Sequence, residues 1–476
     1  MDEFPIELHI KILSYLSPPG QSVPESPEWT EHDSRSPTLF PFNVGWVCKQ
    51  WLNILIERPE CWKQVVFDVA NDPALLLNAF LWSKDLDSLE VVVFTSSSDD
   101  GRVYRKVEKH RAFTIAQALR PHIHRCKSII FDLTFSTSLP HANIFFCKDL
   151  PDLEELTLEC HIDNVEITRN SWETTVTAPT QFGTKFTNLK KLSLTGFLFM
   201  YLALHLESAQ WLDRFRFPSS AKFHISRFTF LEKGHYTLQK FAFYILNILR
   251  PLPYGDIFFR DLSLSYQYMA PSSVPNPDDF PRIFSNFYFQ SVSKEFISHL
   301  FSITNLRPAS LTFKDCQIPT IKPVKTNYLT LDRIIDGENG SSLLHILEAW
   351  TAGAGRKLKI SSCPSFNDYH LGRMRPGDPS GRFLAHWIHY LYIHDCPNFT
   401  ARVLREVVKA RNDQPSINDF YRIEQAVREL CVTGKGPTLI KEDKDWFLGH
   451  SMTTKVIWKT VNKEGVHEDF TTFQGD

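Results

Sequence analysis

The chain has 476 residues, 43% of them apolar and 22% charged, which describes a folded protein with ample core and a length suited to about three domains. Its 52 basic and 54 acidic residues leave a net charge of −2, so no global field favours nucleic acid or an anionic membrane. No window approaches the ~18 uninterrupted apolar residues of a membrane span, the start Met1, Asp2, Glu3 lacks the basic region of a signal peptide, and nine cysteines without a tight framework point to reduced thiols in the cytoplasm or nucleus.

The first expected element is a helix in FPIELHIKILSYL, residues 4–16, opened by Pro5. At about 100° per residue, Leu8, Ile12, Tyr15 and Leu16 form one apolar stripe, and Ile6, Ile10 and Leu13 a second. Only His9 lies between them, with Glu7, Lys11 and Ser14 on the remaining arc. A small helical domain buries one such stripe, so two imply that part of this surface belongs to another chain. A proline-rich stretch, 17–41, leads to a second apolar segment, VGWVCKQWLNILIERPECW. There Val47 and Trp51 stand four apart, Ile54 and Leu55 follow, and Trp62 comes after the helix-breaking Pro59.

Pro5, Glu7, Leu8, Ile12, Tyr15 and Leu16, followed by Val47, Cys48, Trp51, Leu52, Pro59 and Trp62, resemble the F-box, the module that docks on the Skp adaptor of SCF ubiquitin ligases. The Pro-x-Glu-Leu opening and Val-Cys-x-x-Trp close carry the resemblance; the long 17–41 middle departs from it. It implies an F-box-like domain over 1–67 with a proline-rich insertion at 17–41. It also implies that Pro5, Leu8, Ile12, Leu16, Val47, Trp51, Leu52 and Trp62 form the apolar surface shared between the helices and the adaptor.

Farther along, one pattern recurs: apolar, two variable, apolar, one variable, apolar. It reads LEELTL from Leu153, LKKLSL from Leu189, LDRFRF from Leu212, LQKFAF from Leu238, FRDLSL from Phe259 and FSNFYF from Phe284. Looser copies begin at Leu86, Cys126, Pro308, Thr326, Gly355, Ile388 and Val427. The second apolar positions, taken as strand anchors, are Leu89, Ile129, Leu156, Leu192, Phe215, Phe241, Leu262, Phe287, Leu311, Leu329, Leu358, Leu391 and Leu430. Their spacing runs from 18 residues (Leu311 to Leu329) to 40 (Leu89 to Ile129). Strands of this type at intervals of roughly 20–29 residues, lengthened by insertions, are the signature of leucine-rich repeats. Alternating apolar residues point into a core that no single repeat can close, so stacked neighbours form a parallel sheet. Helices are expected at Ala112–His124, Lys294–Phe301, Ser341–Trp350 and Thr400–Arg411, and surface loops at Thr95–Arg102, Ala270–Arg282 and Gly372–Arg382. The early repeats are similar to those of fungal F-box proteins. The expected fold class is therefore α/β: an N-terminal helical F-box, then an irregular leucine-rich-repeat solenoid with a parallel β-sheet over 68–476.

Cys316, Cys363 and Cys396 fall three residues after the last strand anchor and Cys160 two after, where a small side chain fits inside the bend leaving the strand. No C-x-x-C pair or matching histidine spacing accompanies them, and His122, His124 and Cys126 lack a fourth ligand, so no metal is expected. AGAGRK at Ala352–Lys357 lacks the phosphate-loop spacing, there is no G-x-S-x-G, and HEDFT at His467 fails the H-E-x-x-H pattern. A non-catalytic protein without cofactor is expected. The resemblance implies a substrate-receptor subunit whose F-box docks the Skp adaptor and through it cullin and RING subunits, while the repeats bind an unknown protein target. The alternative is an interaction scaffold without ubiquitin ligation. Neither nucleic acid nor membrane is expected as a partner. The best candidates for target binding are outward strand residues, above all Tyr288, Lys314, Lys359, Tyr390, Tyr392 and His394.

Overall fold

Leu311 and Phe313, or Leu358 and Ile360, show how many of the short strands are made. Two apolar side chains alternate with polar ones, so one face must be covered and the other can meet water. The computed structural model describes residues 5–16, 41, 45, 47–84, 86–96, 104–141, 143–146, 149–165, 186–205, 218, 220–249, 255–267, 285–304, 306–336, 342–350, 356–376, 384–385, 388–412, 426–450, 454–462 and 464–472. The anchor Phe215, most of the 17–41 stretch, the loop Ala270–Arg282, and parts of Thr95–Arg102, Ala352–Lys357 and Gly372–Arg382 lie outside them. The fold is mixed α/β, and the chain divides into two compact units, Met1–Ala221 and Lys222–Asp476.

The first unit opens with two helices, Ile6–Leu16 and Lys49–Ile56, and a short 3-10 turn, Pro59–Trp62. Strands β1 (Gln64–Asp68), β2 (Leu89–Phe94), β3 (Cys126–Phe135), β4 (Glu155–Ile162) and β5 (Lys191–Thr195) then pair in parallel, each with the next. Val65, Val91, Ile129, Leu156 and Leu192 fall in one register row, Phe67, Val93, Phe131, Leu158 and Leu194 in another, and all ten are fully buried. A register shift between Leu89 and Glu90 moves the anchor of β2 from Leu89 to Val91.

The second unit holds β6 (Lys222–Phe230), β7 (Asp256–Leu264), β8 (Asn286–Gln290), β9 (Ser310–Lys314), β10 (Tyr328–Asp332), β11 (Lys357–Ser361), β12 (Tyr390–His394), β13 (Glu429–Lys435) and β14 (Lys455–Val461), again parallel in chain order. β15 (His467–Thr471) runs antiparallel to β14. The anchors Phe287, Leu311, Leu329, Leu358, Leu391 and Leu430 share one row, as expected. Phenylalanines fill the core of β6–β9: rings of Phe230 and Phe241 lie 4.9 Å apart, Phe259 and Phe289 5.3 Å, Phe289 and Phe313 5.1 Å.

Two further anchors, Phe241 and Leu262, differ from expectation. Phe241 belongs to the helix Leu238–Leu249, whose buried Leu238, Phe241, Ala242, Ile245 and Leu246 repeat with helical spacing. The hexamer places apolar residues three apart, which a helix accepts as readily as a strand; the strand of that repeat is β6. Leu262 does lie in β7, but Ile257 aligns with Phe287, and Leu262 pairs with Phe228 beyond a left-handed residue, Asp261 (φ 52°). Strands β1, β6, β14 and β15 were not among the expected elements. The expected helices are found at Tyr104–Leu119, Lys294–Ile303, Ser342–Trp350 and Ala401–Asn412.

The exits of β8–β12 repeat one backbone device. Ser291, Asp315, Arg333, Ser362 and Asp395 each follow a strand with φ between 47° and 53°. This region is disfavoured for residues with a Cβ. The N–H of each donates to a carbonyl at or near the end of the next strand: Lys314, Asp332, Ser361, His394 and Thr433 respectively, at 2.8–3.0 Å. Just after three of these residues, the buried thiols of Cys316, Cys363 and Cys396 donate to Lys314, Ser361 and His394 carbonyls at 3.1, 3.1 and 3.3 Å. Burial pushes their pKa up to about 11, 11 and 12.

Buried arginines tie off helix and turn ends. In the first unit Arg125 donates to the carbonyls of Phe80, Ser83 and Lys84 behind the helix Ala79–Trp82. In the second, Arg411 is fully buried and donates to Met374, Leu384 and Ala385 carbonyls at 3.1, 3.0 and 2.9 Å. Burial lowers the Arg411 pKa to about 10.

Candidate interaction surfaces

The helix Ile6–Leu16 turns one side inward and leaves an apolar side in water. His9 and Leu13 are 2% exposed, and His9 Nδ1 accepts a 2.8 Å hydrogen bond from Trp51 Nε1 on the second helix. The residue that separates the two stripes is thus the one that joins the helices. Leu8, Ile12 and Tyr15 are 45%, 46% and 79% exposed, and Ile6 is 53% exposed. A stripe of this kind spends its apolar area on nothing within the described chain, which is unusual where contiguous. Pro5 at the helix start is also exposed, Val47 is 54% exposed, and Trp51 and Leu52 are half-buried. Leu16 ends the helix, and its side chain lies outside the description.

Trp62 does not belong with this surface. It is 1% exposed, donates from Nε1 to the Leu55 carbonyl at 2.8 Å, and packs its ring 4.6 Å from that of Trp82. An indole in the 3-10 turn just before β1 closes the end of the unit's core, so it acts as internal packing.

The outer face of the second unit carries the other candidates. β12 alternates half-buried Tyr390 and Tyr392 and exposed His394 with fully buried Leu391 and Ile393. Register sets Lys357 beside Tyr390 and Lys359 beside Tyr392, and Lys357 Nζ sits 4.6 Å from the centroid of the Tyr392 ring. Tyr392 Oη donates to Glu429 Oε1 at 3.0 Å; burial, then that carboxylate, pushes the phenol pKa up to about 12. Glu429 also faces Lys455 at 3.8 Å. The His394 ring is held at both nitrogens, by Thr433 Oγ1 at 2.9 Å and Asp395 Oδ2 at 3.1 Å.

Four of the six expected target-binding residues therefore meet: Lys359, Tyr390, Tyr392 and His394. Lys314 ends β9, three strands from β12, about 14 Å at the usual strand spacing. Tyr288 is on β8, about 19 Å away by the same measure. It stacks on Phe258 at 4.3 Å, which stacks on His224 at 4.1 Å, so its ring belongs to a separate aromatic row. The hexamer pattern passed over two residues of the cluster, Lys357 and Tyr328. Both precede an anchor on the outward side, and period-two alternation from Lys359 and Thr330 reaches them.

His122 packs against Phe80 and meets Arg125 Nη2 at 3.2 Å, and the Cys126 thiol donates to the His122 carbonyl. Among the described residues no group of three or more His, Cys, Asp or Glu is placed to hold a metal, and no helix is long and apolar enough to cross a membrane. Compared with family models, curated proteins and solved structures, the chain matches none.

Proposed function

We propose that this chain is a non-catalytic receptor: its N-terminal helices dock a Skp-type adaptor, and its strand array holds a protein target for ubiquitin transfer by the cullin and RING subunits. The single observation behind this reading is the water-exposed stripe Leu8, Ile12 and Tyr15, on a helix fixed from behind by the His9–Trp51 hydrogen bond. Together with the F-box-like residues that carry it, the stripe suits an apolar groove on a partner. The array supports the rest, because rows of short parallel strands offer a broad, rigid surface for protein recognition. The chain would supply proximity and orientation and no bond chemistry. The reading places the protein in the cytoplasm or nucleus, where its thiols stay reduced.

The test is a paired substitution on the exposed stripe, Leu8→Asp with Ile12→Asp. Neither side chain supports the core, so the thermal midpoint should hold while co-purification of adaptor and cullin is lost. Adaptor binding that survives the change rejects the docking reading. Adaptor binding without cullin or ubiquitin chains on a bound partner identifies the scaffold alternative.

A further inference from the structure

Lys357 and Lys359 leave the same face of β11 two residues apart, about 7 Å along the strand. Register sets Lys357 between Tyr328 and Tyr390, and Lys359 between Thr330 and Tyr392. Lys359 and Tyr328 are exposed, and the other lysine leans over a tyrosine ring. Neither lysine has an ion pair among the described residues. Of the carboxylates on the flanking strands, Glu429 accepts from Tyr392 and faces Lys455 at 3.8 Å, and Asp332 stands beside Arg333 at 3.7 Å. Among the described residues neither positive charge is ion-paired, and tyrosines stand on the strands to either side.

We propose that this patch, Lys357 and Lys359 framed by Tyr328, Tyr390 and Tyr392, captures an acidic, extended segment of a partner protein. Carboxylates two residues apart on an extended chain are also about 7 Å apart, so one strand-like segment can meet both lysines at once. Side chains at the next alternate positions, i−2 and i+4 on the same side of that segment, would lie against the tyrosines, residues favoured at binding hot spots. A nucleic acid is the poorer fit, since a continuous polyanion would bring phosphates next to the carboxylates of Glu429 and Asp332. The inference names the target class of the receptor surface and rests on that reading for its purpose; the patch chemistry does not involve the adaptor.

The experiment uses the full chain and a displayed library of random dodecapeptides. Selection on the wild-type protein should enrich Asp and Glu over the starting library. Peptides so obtained should bind at least about tenfold more weakly to Lys359→Glu, equivalent to about 1.4 kcal/mol. The double variant Lys357→Glu, Lys359→Glu should instead select Lys- and Arg-rich peptides. Lys359 is exposed, so the single variant should melt like the wild type and keeps the test independent of folding. No enrichment, enrichment without acidic bias, or acidic peptides that bind both variants as well as the wild type would each overturn the proposal. So would tighter binding of a single-stranded oligonucleotide that the same variants abolish, which would mark a general polyanion surface. The Leu8→Asp, Ile12→Asp protein should select the same acidic peptides. If it does while adaptor binding is absent from the wild type, the patch stands and the ligase reading falls.

Discussion

At the scale of single residues, the chain's most consequential side chains are polar and hidden. Arg411 donates to three backbone carbonyls in a fully buried setting. Removing it leaves acceptors that water cannot reach, at about 1–3 kcal/mol each. Arg411→Met should therefore lose roughly 3 kcal/mol or more in urea denaturation, and Arg411→Lys should recover little of it, because an ammonium lacks the planar fork. A loss under 1 kcal/mol would show that the carbonyls find other partners. His299 gives a pH dependence of known sign. Burial lowers its pKa from 6.5 to about 4, and its Nδ1 meets Tyr266 Oη at 3.1 Å. Folding thus favours the neutral ring, and its share of stability is full above pH 6.5 and lost as pH falls from 6.5 towards 4. In His299→Gln the fall of the melting temperature across that window should be shallower than in the wild type. Neither role was legible in the sequence. The pattern of the sequence assigns neither the arginine at a helix end nor the histidine on a helix a role, because their value lies in carbonyls and walls brought by distant segments.

At the scale of elements, the bends after β8–β12 are a test of backbone cost against stacking. A left-handed conformation costs a residue with a Cβ about 1–2 kcal/mol, yet five successive exits use Ser, Asp or Arg. The N–H bond each gains across to the neighbouring strand is what the bend secures. Ser362→Gly should keep that bond and relieve the conformation, leaving stability equal or raised by up to about 1 kcal/mol. At Gly434 (φ 73°) the opposite holds, because a Cβ there would run into the Asp395 carboxylate. Gly434→Ala should cost about 1–3 kcal/mol. Denaturation midpoints of the two variants moving in the same direction would refute this account. Strand anchors from Phe287 to Leu430 could be read directly, since period-two alternation is regular there and a bend cysteine follows three of the six strands. The reading failed at LQKFAF, where apolar spacing fits both periods, and at β1, β6 and β14, where Val65, Phe223 and Val456 hold the anchor row in place of leucine. Two apolar stripes on the first helix were legible too; which one faces water was not, because that depends on Trp51, whose indole bonds His9 from the second helix.

At the scale of the whole molecule, each unit has its own arginine clamp, and repeat arrays distribute stability among neighbours. Arg125→Met should speed amide exchange in β2–β4 and leave β9–β13 protected, while Arg411→Met should do the reverse. Exchange rising throughout in either variant would show that the units open together. The sheet face also explains why the candidate surface around Tyr390 and Tyr392 was only partly legible. Residues far apart in sequence meet by strand register, so Lys357 and Tyr328 joined the cluster only once β10, β11 and β12 were aligned. The thiols inside the bends have a further consequence. With pKa values of about 11 or 12, Cys316, Cys363 and Cys396 present about one thiolate in ten thousand or fewer at neutral pH. An alkylating reagent will therefore record the moments when a turn springs apart. Read by peptide mass, the order in which these cysteines are modified is a built-in clock of where along the array the chain breathes first.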